Sequence, residues 1–76
     1  MSLSPNTPDR WNAAFSRVAV RIEHAAKHST VVYVSREART ILKACEIPLD
    51  EASLKTVVDR IVAVAAAKGV PVQLGD

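Results

Sequence analysis

The sequence predicts a small α+β domain in the order α-β-α-α-β, with two short strands packed on helices, and three observations predict it. Three stretches carry apolar residues at helical spacing between recognisable start and stop signals. Two short runs, at 31–34 and 70–74, carry strand-type residues. With 76 residues there is room for one small core and no second one.

Residues 1–6 are polar and unpatterned and read as a flexible N-terminal tail, leaving 7–76 as a single globular domain. Thr7-Pro8-Asp9 opens the first helix: Thr7 caps, Pro8 takes the first helical position, and Asp9 meets the positive end of the dipole. The helix is expected to reach Lys27 or His28, with Trp11, Phe15, Val18 and Ile22 forming a narrow apolar seam. His28-Ser29-Thr30 breaks it, and Val31 to Val34 come next as a strand. Ser35 is placed to cap a second helix running from Arg36 to about Glu46, with Ala38, Ile41, Leu42 and Cys45 inward. Ile47, held extended by Pro48, is expected to end it.

Asp50 caps the third helix, Glu51 to Lys68, and Leu49 and Leu54 have the spacing of a hydrophobic staple. Leu54, Val57, Val58, Ile61, Val62 and Ala65 make its expected buried face, widened by the "AVAAA" run at 63–67. Gly69 is suited to close the helix in a left-handed conformation. Val70, Val72 and Leu74 then alternate with Pro71 and Gln73, the one other strand pattern in the chain, so it pairs with 31–34. No internal repeat is evident.

Composition narrows the function classes. Cys45 is the single cysteine, so an intrachain disulfide and a cysteine-based zinc site are both excluded. Small domains without such staples commonly oligomerise. The net charge of +2 resides in residues 1–30, a mild excess far from a nucleic-acid-binding composition. "MSLSPNTP" has neither a basic nor an apolar targeting region, and no apolar run reaches membrane length. A cytoplasmic, reduced protein without membrane contact is expected.

The strand "TVVYV" (30–34) has no proline and no charge and is apolar on both faces, a hazard if its edge is left open. Pairing with the same strand of a second copy removes that hazard, so a homodimer acting as an interaction or assembly module is expected, with room for another protein partner. Its interface residues would be Val31, Val32, Tyr33 and Val34, joined by Trp11, Phe15, Val18 and Ile22 if the helical seam crosses to the partner.

The alternative is a weak nucleic-acid-binding module resembling a helix-turn-helix in layout, using helix 51–68 or the basic face of helix 8–28. Arg17, Arg21, His24 and His28 recur there at helical spacing as a candidate anion-binding face. Against it, the would-be recognition helix opens on Asp50 and Glu51, where phosphates would be met, and has no arginine before Arg60.

His24 and His28 have metal-ligand spacing, but the glutamate of "EHAAKH" precedes the first histidine instead of coming after it, and no third histidine exists. No metal and no cofactor are therefore expected. Cys45 reads as a buried structural thiol. The carboxylates Glu37, Glu46, Asp50, Glu51 and Asp59 lie beside bases or act as caps. With glycine only at 69 and 75, no phosphate-cradling loop is available. No catalytic residue stands out, and the chain is not expected to be an enzyme.

Overall fold

A computed structural model describes residues 8–74; the expected tail at 1–6 and the Thr7 cap lie outside the described residues. Three helices and two short parallel strands form a small α+β domain: α1 (Pro8–His28), β1 (Val32–Tyr33), α2 (Val34–Ala44), α3 (Glu51–Lys68) and β2 (Val72–Gln73).

Helix α3 is the central element. It packs against both α1 and α2, which touch each other much less. Its Val57, Ile61 and Ala65 meet Ala14, Val18, Ile22 and Ala25 of α1 and Val34, Ala38, Ile41 and Leu42 of α2 in one buried cluster. Burying a side chain of this size contributes about 1.5–3 kcal/mol, so this cluster carries most of what holds the chain together. The buried face of α3 is narrower than its composition suggests. Leu54 and Val58 are half-buried and Val62 is exposed; of the 63–67 run, Ala65 is in the core and Val64 packs against it, while Ala63, Ala66 and Ala67 face outward.

All three helices end in the same way. The residue after each last turn is left-handed: Ser29 (φ 54°), Glu46 (φ 57°) and Gly69 (φ 69°). The next N–H then reaches back to a carbonyl five residues earlier: Thr30 to Ala25 (3.1 Å), Ile47 to Leu42 (2.9 Å) and Val70 to Ala65 (2.9 Å). This is the Schellman arrangement, which occupies carbonyls a helix end would otherwise leave unpaired. It corrects the expected end of the second helix. That helix stops at Ala44, and the left-handed Glu46 turns Ile47 into the core instead of Pro48 merely forcing it extended. Arg10 Nη1 of α1 donates to the Glu46 carbonyl at 2.6 Å, a cation at the negative end of α2.

The strands are shorter than expected. Helix α2 begins at Val34, and Ser35 lies inside it; Tyr33 stands at the cap position with extended backbone (φ −90°, ψ 99°) and no side-chain cap. Burial decides the matter, because Val34 is fully enclosed and its position is set by the core. Ser35 Oγ instead donates to the Leu74 carbonyl at 2.8 Å, tying the start of α2 to the end of β2. Val70 belongs to the turn that closes α3, so β2 retains only Val72 and Gln73.

The parallel register pairs Val32 with Val72 and Tyr33 with Gln73. Every landmark around it repeats at one displacement: Ala25 and Ala65 accept the closing bonds, Ser29 and Gly69 are left-handed, and His28 and Lys68 end the helices. The domain thus contains two helix–turn–strand units side by side, a repeat in structure that is not evident in the sequence. Among aligned positions only Pro8/Pro48, Val18/Val58, Ala25/Ala65, Ala26/Ala66 and Val32/Val72 are identical.

Left-handed backbone at Glu46 is costly for a residue with a Cβ, by about 1 kcal/mol. Glu46→Gly should therefore raise stability by about 0.5–1 kcal/mol in urea denaturation, whereas the same change at exposed, mid-helical Thr56 should lower it by a similar amount.

Candidate interaction surfaces

The residues expected at an interface divide into two groups. Val32 and Val34 are buried beside Val18 and Ile22 in the chain's own core. Val31 and Tyr33, each 42% exposed, point the other way, as alternation along a strand requires. Trp11 and Phe15 are half-buried, their rings 5.7 Å apart and tilted by 41°, with the Arg60 guanidinium 4.2 Å from the centre of the Phe15 ring. Arg36 lies similarly, 5.4 Å over the Tyr33 ring.

Hydrogen bonding distinguishes the two edges of β1. The Val32 N–H donates to the Pro71 carbonyl at 3.1 Å, so the polar groups of Val32 face β2. Consecutive residues of a strand direct these groups to opposite edges, so those of Val31 and Tyr33 face away from β2. The Tyr33 carbonyl, at the cap position, is committed to the first turn of α2. Val31 has no hydrogen-bond partner among the described residues, for either its N–H or its carbonyl. Pro71 does not guard the outer side of β2: its carbonyl is within the ladder, and its missing N–H lies on the same side.

The basic stripe of α1 is only partly free. Arg21 forms a two-pronged bond to Glu37 of α2, Nε to Oε1 and Nη2 to Oε2, both 3.0 Å. An exposed pair of this kind contributes at most about 1 kcal/mol to stability, but it removes Arg21 from the supply of unpaired cations. Arg17 has no ion-pair partner among the described residues. His24 and His28 are exposed, with ring centres 4.3 Å apart and planes tilted by 42°. Between α1 and α2 lies an open groove of about 320 Å³, floored by Ile41 and Ala44 and walled by Arg17, Val20 and the Arg21–Glu37 pair. Val20, 66% exposed, is not a residue that sequence reasoning singles out; its only signal is an apolar residue among the stripe's cations.

The start of α3 is occupied from within. Asp50 Oδ1 accepts from the Ser53 N–H at 2.7 Å, and this bond holds the Asp50 carboxyl below its ordinary range. At the other end of α3, Lys68 Nζ donates to Glu23 Oε2 of α1 at 2.6 Å, which lowers the Glu23 carboxyl, first through the hydrogen bond and then through the ammonium charge. Leu49, 43% exposed, is largely in solvent despite its staple spacing. Cys45 is half-buried rather than enclosed. No helix among the described residues is long and apolar enough to cross a membrane.

No protein-family model matches the chain, and neither a curated protein nor a solved structure does.

These placements set different expectations for neighbouring residues. Val18→Ala should destabilise by about 2 kcal/mol, whereas Val20→Ala, two residues along the same helix, should stay within about 0.5 kcal/mol by chemical denaturation. Asp50 and Glu23 have lowered folded-state values, so their stabilisation is present above the ordinary carboxylate range and is lost as pH falls through those values. The melting temperature should drop between roughly pH 5 and pH 3, and Asp50→Asn, which keeps an acceptor at the cap but does not titrate, should make that drop shallower.

Proposed function

We propose that this domain is a self-assembly module that joins two copies through the outer edge of β1, and that its role is binding, not catalysis. The observation supporting this reading is the state of that edge. Two strands of two residues make a sheet well below the size that is stable unaided, and Val31 presents an N–H and a carbonyl without partners among the described residues, with a half-exposed apolar side chain beside them.

A two-fold axis at Val31 lets the two Val31 residues exchange both hydrogen bonds as an antiparallel pair. The two Val31 side chains then face each other, and each Tyr33 lies diagonal to the Val31 of the second copy on the same face. The contact is isologous and closes at two copies. Val18, Ile22, Val32 and Val34 remain in the core of each copy, so the interface narrows from the eight expected residues to Val31 and Tyr33, with Trp11 and Phe15 at most peripheral.

Light scattering coupled to size exclusion, over a concentration series, tests the reading. The native chain should approach twice its 8.2 kDa mass at high concentration. Val31→Pro, which deletes the edge N–H, and Val31→Lys, which sets like charges across the axis, should each give a folded monomer by circular dichroism. A native chain that stays at monomer mass at high micromolar concentration overturns the reading, and salt-sensitive retention on heparin would then favour the anion-binding alternative.

A further inference from the structure

We propose that His24 and His28 form an open two-imidazole chelate for a divalent transition cation, taking Cu(II) ahead of Ni(II) and Zn(II). The two side chains stand one turn apart on the outer face of α1, both exposed, with ring centres 4.3 Å apart. A cation bound to two imidazole nitrogens at about 2.0–2.1 Å, with the ligands at adjacent positions, places the ring centres roughly 4.5–5 Å apart. The observed 4.3 Å is close to that separation, so side-chain rotation without movement of the helix brings a nitrogen of each ring to one ion.

The backbone beneath them is held firmly. Ile22 and Ala25 are buried, and the Thr30 N–H bond to the Ala25 carbonyl closes the turn under His28.

Among the described residues no third histidine, cysteine or carboxylate joins the pair. Glu23, next in sequence to His24, is turned to Lys68. Two ligands cannot complete the closed tetrahedral site that zinc prefers when structural, so the remaining positions belong to water or an exogenous ligand and the ion exchanges readily. Cu(II) and Ni(II) accept two adjacent imidazoles in a tetragonal arrangement, and the general affinity order for nitrogen ligands places Cu(II) first. The negative end of α1 favours a cation here; Lys27 opposes it, while the Lys68 charge is engaged by Glu23.

Calorimetric titration of the full chain with CuCl2, NiCl2 and ZnCl2 in a non-coordinating buffer tests the site, independently of the oligomeric state. The expected result is saturable binding, one ion per chain, in the order Cu(II), Ni(II), Zn(II). His24→Ala and His28→Ala should each weaken it roughly a hundredfold or more, since each removes one arm of the chelate. Cys45→Ser should leave it unchanged. Both histidines are exposed, so the variants should melt as the native chain does without metal, and only the native chain and Cys45→Ser should gain melting temperature with it. No saturable binding, binding that survives both histidine variants, or binding lost with Cys45→Ser would each overturn the proposal.

Discussion

Parallel pairing of Val32 with Val72 constrains the whole molecule, because each strand leaves a helix through the same three-residue turn. With turns of equal length and strands in register, α1 and α3 must end side by side and run in the same direction. A parallel partner also requires a long crossover, and α2 and α3 together supply it. Helix α2 is thereby confined to the flank of α3 that α1 leaves open, and α3 becomes the helix with neighbours on two sides. The two units nevertheless bury different faces. The positions of α3 that correspond to Arg17 and Arg21 of α1 are Val57 and Ile61, which are core, so one repeated backbone plan carries a wall on one helix and a hub on the other.

The same constraint sets an electrostatic problem at one end of the domain. Two parallel helices ending together place their negative dipole ends side by side, an arrangement that repels unless cations are near. Lys27 and Lys68 occupy those last turns, and Lys68 reaches across to Glu23. Part of the positive excess in the first thirty residues therefore has a structural role. Another part, Arg10 and Arg21, is committed to the Glu46 carbonyl and the Glu37 carboxylate of α2. Of the stripe itself, Arg21 is engaged in this way, whereas Arg17 has no ion-pair partner among the described residues and His24 and His28 are exposed.

A feature of this fold is legible in the sequence where its cause is local. The Asp50 cap, the Gly69 turn and the seam through Val18 and Ile22 are set by residue type and spacing, and all three can be read directly. The other two left-handed turns carry serine and glutamate where glycine would give the signal, and they are held by the residues after them, above all by the burial of Ile47. Ser35 has a capping side chain, but the enclosure of Val34 moves the helix start ahead of it. At the surfaces, the Arg21–Glu37 bond and the exposure of Val20 depend on where α2 lies against α1, which no spacing within α1 encodes. The repeat is hidden because identical residues lie chiefly at the turn and the strand, while the helix faces differ with their neighbours.

This division also explains where the molecule can make contact with anything else. The apolar ridge of α3 is covered by its two neighbours, and its start is capped by the Asp50 carboxylate. Outward on the first unit lie the stripe of α1, with Val20, Arg17 and the histidine pair, and the edge of β1 that leads directly from its turn. A strand needs a partner on each side to occupy its backbone groups. Here the chain supplies one partner, β2, and then turns at once into α2, which takes the Tyr33 carbonyl as well. Among the described residues, neither the sheet nor a helix engages the backbone of Val31, and it is apolar. Exposed backbone groups hydrogen-bond to water, so what distinguishes Val31 is an apolar side chain beside an N–H and a carbonyl that a second strand is equally able to pair.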